Sequence, residues 1–154
     1  MALSGTYSRS LDSKGRVAVP KRLREDISQD ELSHLYVAPG TEKSLALYSE
    51  QEFEAFAHRL AAIPSNRATV RNYRRLFYSQ AEKVDVDSQG RIRIPERLCR
   101  FAELKQNVIL LGVLDHVEIW DDELWREFFS QHATDFDAMA SQAFDSPADP
   151  SDRS

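Results

Sequence analysis

Asp12-Ser13-Lys14-Gly15-Arg16-Val17-Ala18-Val19-Pro20-Lys21-Arg22-Leu23 is written again, 75 residues on, as Asp87-Ser88-Gln89-Gly90-Arg91-Ile92-Arg93-Ile94-Pro95-Glu96-Arg97-Leu98. A repeat at that spacing makes the chain two copies of one small unit. In each copy Asp and Ser offer local hydrogen bonds and Gly accepts positive φ, so Asp12 to Gly15 and Asp87 to Gly90 read as turns. Val17 and Val19 leave the first turn on one face of a strand, and Ile92 and Ile94 do the same in the second. Pro20 and Pro95 then stop the ladder and open short helices.

Working outward, Leu35 to Ala38, the turn Pro39-Gly40, and Leu45 to Tyr48 read as two further strands. Val108 to Leu111 and Val117 to Trp120 are their counterparts. Trp120 falls 72 residues after Tyr48, which makes the second copy three residues shorter in its internal loop. Ser49 with Glu52 is a capping-box pair, and Phe53, Phe56, Ala57 and Leu60 follow at helical spacing. Pro64 ends that helix. A second, about Asn66 to Phe77, should bury Val70, Tyr73 and Phe77. Asp121 or Asp122 should cap a helix packing Leu124, Trp125, Phe128 and Phe129 on one face.

These readings divide the chain into a first domain over 6–52, a helical connector over 53–80, a second domain over 81–123, a C-terminal helix over 124–144 and an acidic tail over 145–154. The tail has almost nothing to bury and is expected to be disordered. A unit of roughly 45 residues is near the lower limit for burying its own core. The economical solution is an α+β fold in which the two copies complete each other, an intrachain pseudo-dimer with its two Gly turns in a pseudo-twofold relation.

The apolar and charged fractions, 42% and 29%, are those of a soluble globular protein. The longest apolar run, Val108 to Leu114, is far too short for a bilayer, and Met1 to Gly5 begins no signal segment. Cys99 stands alone, with neither a disulfide partner nor metal-ligand spacing, so a cytoplasmic location is expected. The net charge of −5 argues against nucleic acid only until its distribution is read. Residues 9–25 hold six basic and two acidic side chains; residues 115–154 hold eleven acidic and two basic. Local potential, not net charge, decides where a polyanion docks.

Paired cationic turns suit a repeating polyanion better than a small substrate. Gly15 and Gly90 allow close backbone approach, while Lys14, Arg16 and Arg91 can donate to phosphates or to guanine edges. Asp12 and Asp87 read as positioning residues, since a carboxylate facing phosphate is repelled. Arg9 adds to the basic segment before the first turn. The stripe Arg67, Arg71, Arg74 and Arg75 reads as a solvated face, or one paired with Glu118, Asp121, Asp122 or Glu123 of another copy. The Phe53/Phe56 and Trp125/Phe128/Phe129 clusters read as core or subunit contacts. His34, His58, His116 and His132 fall in no ligand or base pattern, and no serine sits in a nucleophile elbow. Asp12 and Asp87 are each held ionised by an arginine four residues on, unfit as catalytic acids. No enzyme, cofactor, metal or small-molecule substrate is expected.

Leu11-Asp12-Ser13-Lys14-Gly15-Arg16-Val17-Ala18-Val19-Pro20 and Val86-Asp87-Ser88-Gln89-Gly90-Arg91-Ile92-Arg93-Ile94-Pro95 resemble the two Asp-x-x-x-Arg motifs of the MraZ family. Gly5-Thr6-Tyr7 and Val117-Glu118-Ile119-Trp120-Asp121 resemble it too, so the likeness runs from about Gly5 to Phe129. It implies two tandem SpoVT-AbrB-like swapped-hairpin units, double-psi-like in their strands, assembled into a ring of identical subunits. It implies a nucleoid-associated transcriptional regulator of the division and cell-wall gene cluster, usually a repressor, on direct repeats in the promoter of its own operon. The family's DNA contacts fall on Lys14 and Arg16, with Arg91 added by position. Gln89 stands where the first copy has Lys14, so the second turn is less basic, and Arg93 offers compensation if it faces outward. An AbrB-type antitoxin or transition-state regulator shares this chemistry. An RNA-binding ring would use Arg67 to Arg75 instead, and a structural ring would bind no nucleic acid.

Overall fold

The computed structural model describes residues 2–145. Its contacts divide the chain into two units, 1–122 and 123–154. The first copy of the repeat contributes β1 (Thr6–Ser10), β2 (Arg16–Ala18), α1 (Lys21–Ile27), β3 (His34–Pro39) and β4 (Leu45–Tyr48), followed by α2 (Glu50–Ala61) and α3 (Ala68–Gln80). The second contributes β5 (Glu82–Asp85), β6 (Arg91–Arg93), α4 (Glu96–Phe101), β7 (Asn107–Val113) and β8 (His116–Asp121). The fold is α+β.

Six strands form one antiparallel sheet in the order β1-β7-β8-β4-β3-β5, and β2 pairs with β6 in a separate ribbon. Exchanging each strand for its repeat counterpart leaves that order unchanged when read from the other edge. The pseudo-twofold passes through the Ala46–Glu118 pair in the sheet and the Val17–Ile92 pair in the ribbon. The first strand of each copy pairs with the third strand of the other, β1 with β7 and β5 with β3. Neither copy is complete alone, which is how units this small bury a core.

That core lies between ribbon and sheet. Val17, Val19, Ile92 and Ile94 face it from the ribbon, Leu23 and Leu98 from the short helices, and Leu35, Leu47, Leu110 and Ile119 from the sheet. Strict alternation sends Tyr36, Ala38, Ala46 and Tyr48 to the opposite face, where Phe53, Phe56 and Phe77 of α2 and α3 cover them. Tyr36 and Phe53 stack with centroids 4.4 Å apart. Aromatic pairs of this kind add to what burial alone contributes.

Local signals act where the sequence puts them, with small displacements. Ser49 Oγ accepts the Glu52 main-chain N–H at 3.1 Å and opens α2. Pro20 and Pro95 stand at the N-caps, one position before the first helical residue. α3 runs to Gln80, and of the three residues expected to be buried only Phe77 is, with Val70 half-buried and Tyr73 42% exposed. The three-residue deficit is split between two loops. The offset is 75 at Val17 and Ile92, 73 at Leu35 and Val108, and 72 at Tyr48 and Trp120.

In the second unit, the stretch read as one helix over 124–144 is α5 (Asp122–His132), a 3-10 turn (Ala133–Asp135) and α6 (Phe136–Phe144). Asp121 ends β8, where its Oδ1 accepts the Lys105 main-chain N–H at 3.1 Å. Beyond Asp145, the expected acidic tail lies outside the described residues. Among those residues no helix is long and apolar enough to cross a membrane.

Ile92 is 1% exposed and faces Val17 on the pseudo-axis, so truncating it empties the centre of the shared core. Ile92→Ala should cost roughly 2–5 kcal/mol in denaturant unfolding, against under about 0.5 kcal/mol for Leu76→Ala on the exposed side of α3. Equal costs for the two variants would contradict a core shared between the copies.

Candidate nucleic-acid interface

Both turns close by the same set of bonds. The Gly15 N–H donates to Asp12 O at 3.0 Å, and the Asp12 N–H donates to Arg16 O at 3.0 Å. Asp12 Oδ1 accepts the main-chain N–H groups of Lys14 at 2.9 Å and Arg16 at 2.8 Å, while Oδ2 accepts Arg16 Nε at 2.7 Å. Asp87 does the same for Gln89, Arg91 and Arg91 Nε, each at 2.9 Å. Gly15 and Gly90 sit at φ +79° and +76°, the left-handed region that glycine enters without a Cβ clash.

The Arg16 main-chain N–H is the largest influence holding the Asp12 carboxyl down to about 2, ahead of the Arg16 side chain. The Arg91 N–H leads the same lowering at Asp87. Each carboxylate is therefore ionised and turned onto its own loop. Arg16 and Arg91 are about one third exposed, and their Nη groups have no partner among the described residues.

The ribbon joins the two turns. Its register pairs Arg16 with Arg93, Val17 with Ile92 and Ala18 with Arg91. Directly opposed residues share a face. Arg16, Ala18, Arg91 and Arg93 thus lie on one side, and the four buried aliphatics on the other. The ladder continues past both ends, with Val19 N–H donating to Gly90 O at 2.9 Å and Ile94 N–H to Gly15 O at 2.8 Å. Each turn is stitched to the residue just after the strand of the other copy. Gly90 lies opposite Val19, four residue steps along the ribbon from Gly15, so the turn glycines stand about 13 Å apart along it at the usual strand rise.

This register moves Arg93 to the first turn. It lies opposite Arg16 and, with Lys14, Gly15, Glu96 and Cys99, lines a shallow cavity of about 300 Å³. Arg93 therefore supplies positive charge beside the turn of the other copy. Lys14 and Gln89 are exposed at the two tips. Arg9 is not brought to the ribbon: on β1 its guanidinium lies 5.9 Å from the Tyr7 ring centroid and donates to Ser8 O at 2.8 Å.

Arg71, Arg74 and Arg75 of the arginine stripe are engaged by α3, its approach loop and the end of α2. Arg74 Nη2 donates to the carbonyls of Leu60 at 2.8 Å and Ile63 at 2.7 Å, where α2 ends. Arg71 Nη1 reaches Ser65 O and Arg75 Nη1 reaches Asn72 Oδ1. A cation on the last carbonyls of a helix completes its C-terminus. Glu118, read as an intersubunit partner, is occupied inside the chain by His116 Nε2 and Trp120 Nε1, each at 3.0 Å. That contact raises the His116 pKa above its ordinary 6.5.

A family model described as "MraZ protein, putative antitoxin-like" matches the chain twice, over residues 2–76 and 77–146. The chain belongs to the MraZ family. The two matches meet inside α3, so the MraZ units abut within a helix. MraZ is a regulator-type family and not a family of enzymes.

Because main-chain N–H groups lead the lowering at Asp12, its carboxyl should titrate by NMR near 2 in the wild type and stay well below 3.8 in Arg16→Ala. The turn is then intact above the ordinary carboxylate range and loosens only as pH falls toward 2. A return to 3.8 in Arg16→Ala would make the arginine, not the loop, the cause.

Proposed function

We propose that this chain is a sequence-specific DNA-binding transcriptional regulator, repressing its own operon within the division and cell-wall gene cluster through direct repeats in the promoter. The observation that carries the reading is the two-faced ribbon. One face is core, and the other displays Arg16, Arg91 and Arg93 between two exposed turns. The spacing of about 13 Å between turn glycines is comparable to the roughly 12 Å width of the major groove. Membership of a regulator-type family supports the regulatory half of the proposal.

Lys14 and Arg16 make the principal contacts, with Arg91 and Gln89 at the second tip and Arg9 as a flanking phosphate contact. Gly15 lets the backbone approach at the first turn, the buried Gly90 gives the second turn its positive φ, and Asp12 and Asp87 hold the arginines in place. Phosphate contacts give register, and one or two arginines on base edges give sequence preference. One chain offers few contacts. Self-association into a ring of identical copies would multiply them through effective concentration on spaced repeats, on the order of 100-fold or more. The antitoxin-like description of the family favours a second reading, in which the same ribbon binds DNA while another surface binds a toxin. Co-purification of a protein encoded by an adjacent gene distinguishes the two.

The test is a gel shift on the DNA immediately upstream of the coding sequence. Arg16→Ala should weaken binding about 5- to 150-fold, the equivalent of about 1–3 kcal/mol for a base-reading arginine, with circular dichroism unchanged. The wild-type log affinity should fall with log salt by about 0.9 per phosphate engaged. Binding that ignores both Arg16→Ala and ionic strength would refute the proposal.

A further inference from the structure

We propose that Arg24 is a DNA-phosphate ligand of the second turn, lent by the first copy in place of the lysine which that turn lacks. The inference rests on the DNA-binding reading above and adds a residue to it. Arg24 lies on α1 of the first copy, yet its guanidinium covers the glycine of the second turn. A Cβ built on Gly90 would fall 2.6 Å from Arg24 Cζ, 2.7 Å from Nε and 2.9 Å from Nη2. Three nearly equal distances mean that the guanidinium plane faces the Gly90 Cα. Its Nε donates to Val19 O at 3.0 Å, and the Val19 N–H donates to Gly90 O at 2.9 Å. The side chain is thereby clamped onto the turn by the strand that borders it.

The pseudo-symmetric position is informative. Arg24 corresponds to Cys99 at the offset of 75, and Cys99 Sγ donates to Ile94 O at 3.8 Å, the same main-chain hook made by a neutral group. A Cβ on Gly15 would meet only Ile94 O, at 3.0 Å, with no guanidinium over it. The exchange at 24 and 99 thus opposes the exchange at 14 and 89. The first turn has Lys14 and a thiol beside it, whereas the second has Gln89 and a guanidinium.

Arg24 is also available. Its one side-chain hydrogen bond among the described residues uses Nε, it is half-buried, and no carboxylate among those residues pairs with it. Arg22 and Lys21 of the same helix are exposed and stand over neither glycine. The Nη groups of a clamped guanidinium present a fixed fork, the geometry that takes two oxygens of one phosphate. The ligand is then a phosphodiester at the second turn, held by Arg24 together with Arg91.

The experiment measures affinity and salt dependence on the upstream duplex for the wild type, Arg24→Gln, Arg24→Lys and the double variant Arg24→Gln/Gln89→Lys, with melting temperature followed alongside. Arg24→Gln should weaken binding about tenfold and make the salt slope shallower by about 0.9 for each Arg24 in contact. Arg24→Lys should keep the slope, and Gln89→Lys should restore it in the Arg24→Gln background. A role confined to holding Val19 O would not answer to a charge placed at position 89. An unchanged affinity and slope in Arg24→Gln, or a loss that Gln89→Lys leaves unrepaired, would overturn the proposal. Should Arg24→Gln melt early, Arg24→Lys decides: a slope lost there as well overturns the assignment. Failure of the wild type to bind any duplex would instead sink the DNA-binding reading itself.

Discussion

Alternation across one short strand pair is the constraint on which the rest depends. β2 and β6 are three residues each, yet through Gly15–Ile94 and Val19–Gly90 their ladder extends to both turns. Val17, Val19, Ile92 and Ile94 are at most 2% exposed on one side. Arginines occupy the other. A slip of one residue would drive the arginines into the core and the aliphatics into water. That register is fixed at both ends, because each glycine carbonyl is bonded to the opposite copy and each aspartate closes its own loop. The same interactions that complete the core therefore position the cations.

Interleaving follows from size. With about 45 residues a copy cannot bury both faces of its strands, so the aliphatic face of each is covered by its counterpart. A strand exchange that serves stability also mixes the two copies at the surface. Arg93 belongs to the second copy and flanks the first turn; Arg24 belongs to the first and covers the second. Neither tip is the product of one repeat.

Much of this was legible in the residues. The Asp–Gly–Arg turns, the alternation around Val17 and Ile92, the Ser49–Glu52 cap and mutual completion all follow from local chemistry and chain length. Features set by packing between distant segments were not. Tyr73 has helical spacing with Phe77 and packs against its ring, yet stays 42% exposed, which periodicity alone does not reveal. Arg74 resembles its neighbours in a charged stripe until α2 is seen to end beneath it. Arg24 offers no signal in a basic run, because its significance comes from a glycine 66 residues away. Of the candidate site, the turns could be read from sequence, and the lending of arginines across the pseudo-axis could not.

The departures from symmetry bear on what such a surface recognises. A reader with true twofold symmetry presents the same groups to both strands and matches a palindrome. Here the tips and their flanks, 12–24 and 87–99, differ in charge or polarity at four matched pairs: Lys14 and Gln89, Ala18 and Arg93, Lys21 and Glu96, Arg24 and Cys99. On the proposed reading the first tip combines an exposed lysine with Arg93 beside it, and the second combines an amide able to pair with a base edge and a clamped guanidinium. A ribbon with distinguishable ends has a polarity along the duplex. Only if a cyclic ring, as proposed above, carries its copies in one orientation would their sites be repeated head to tail rather than inverted.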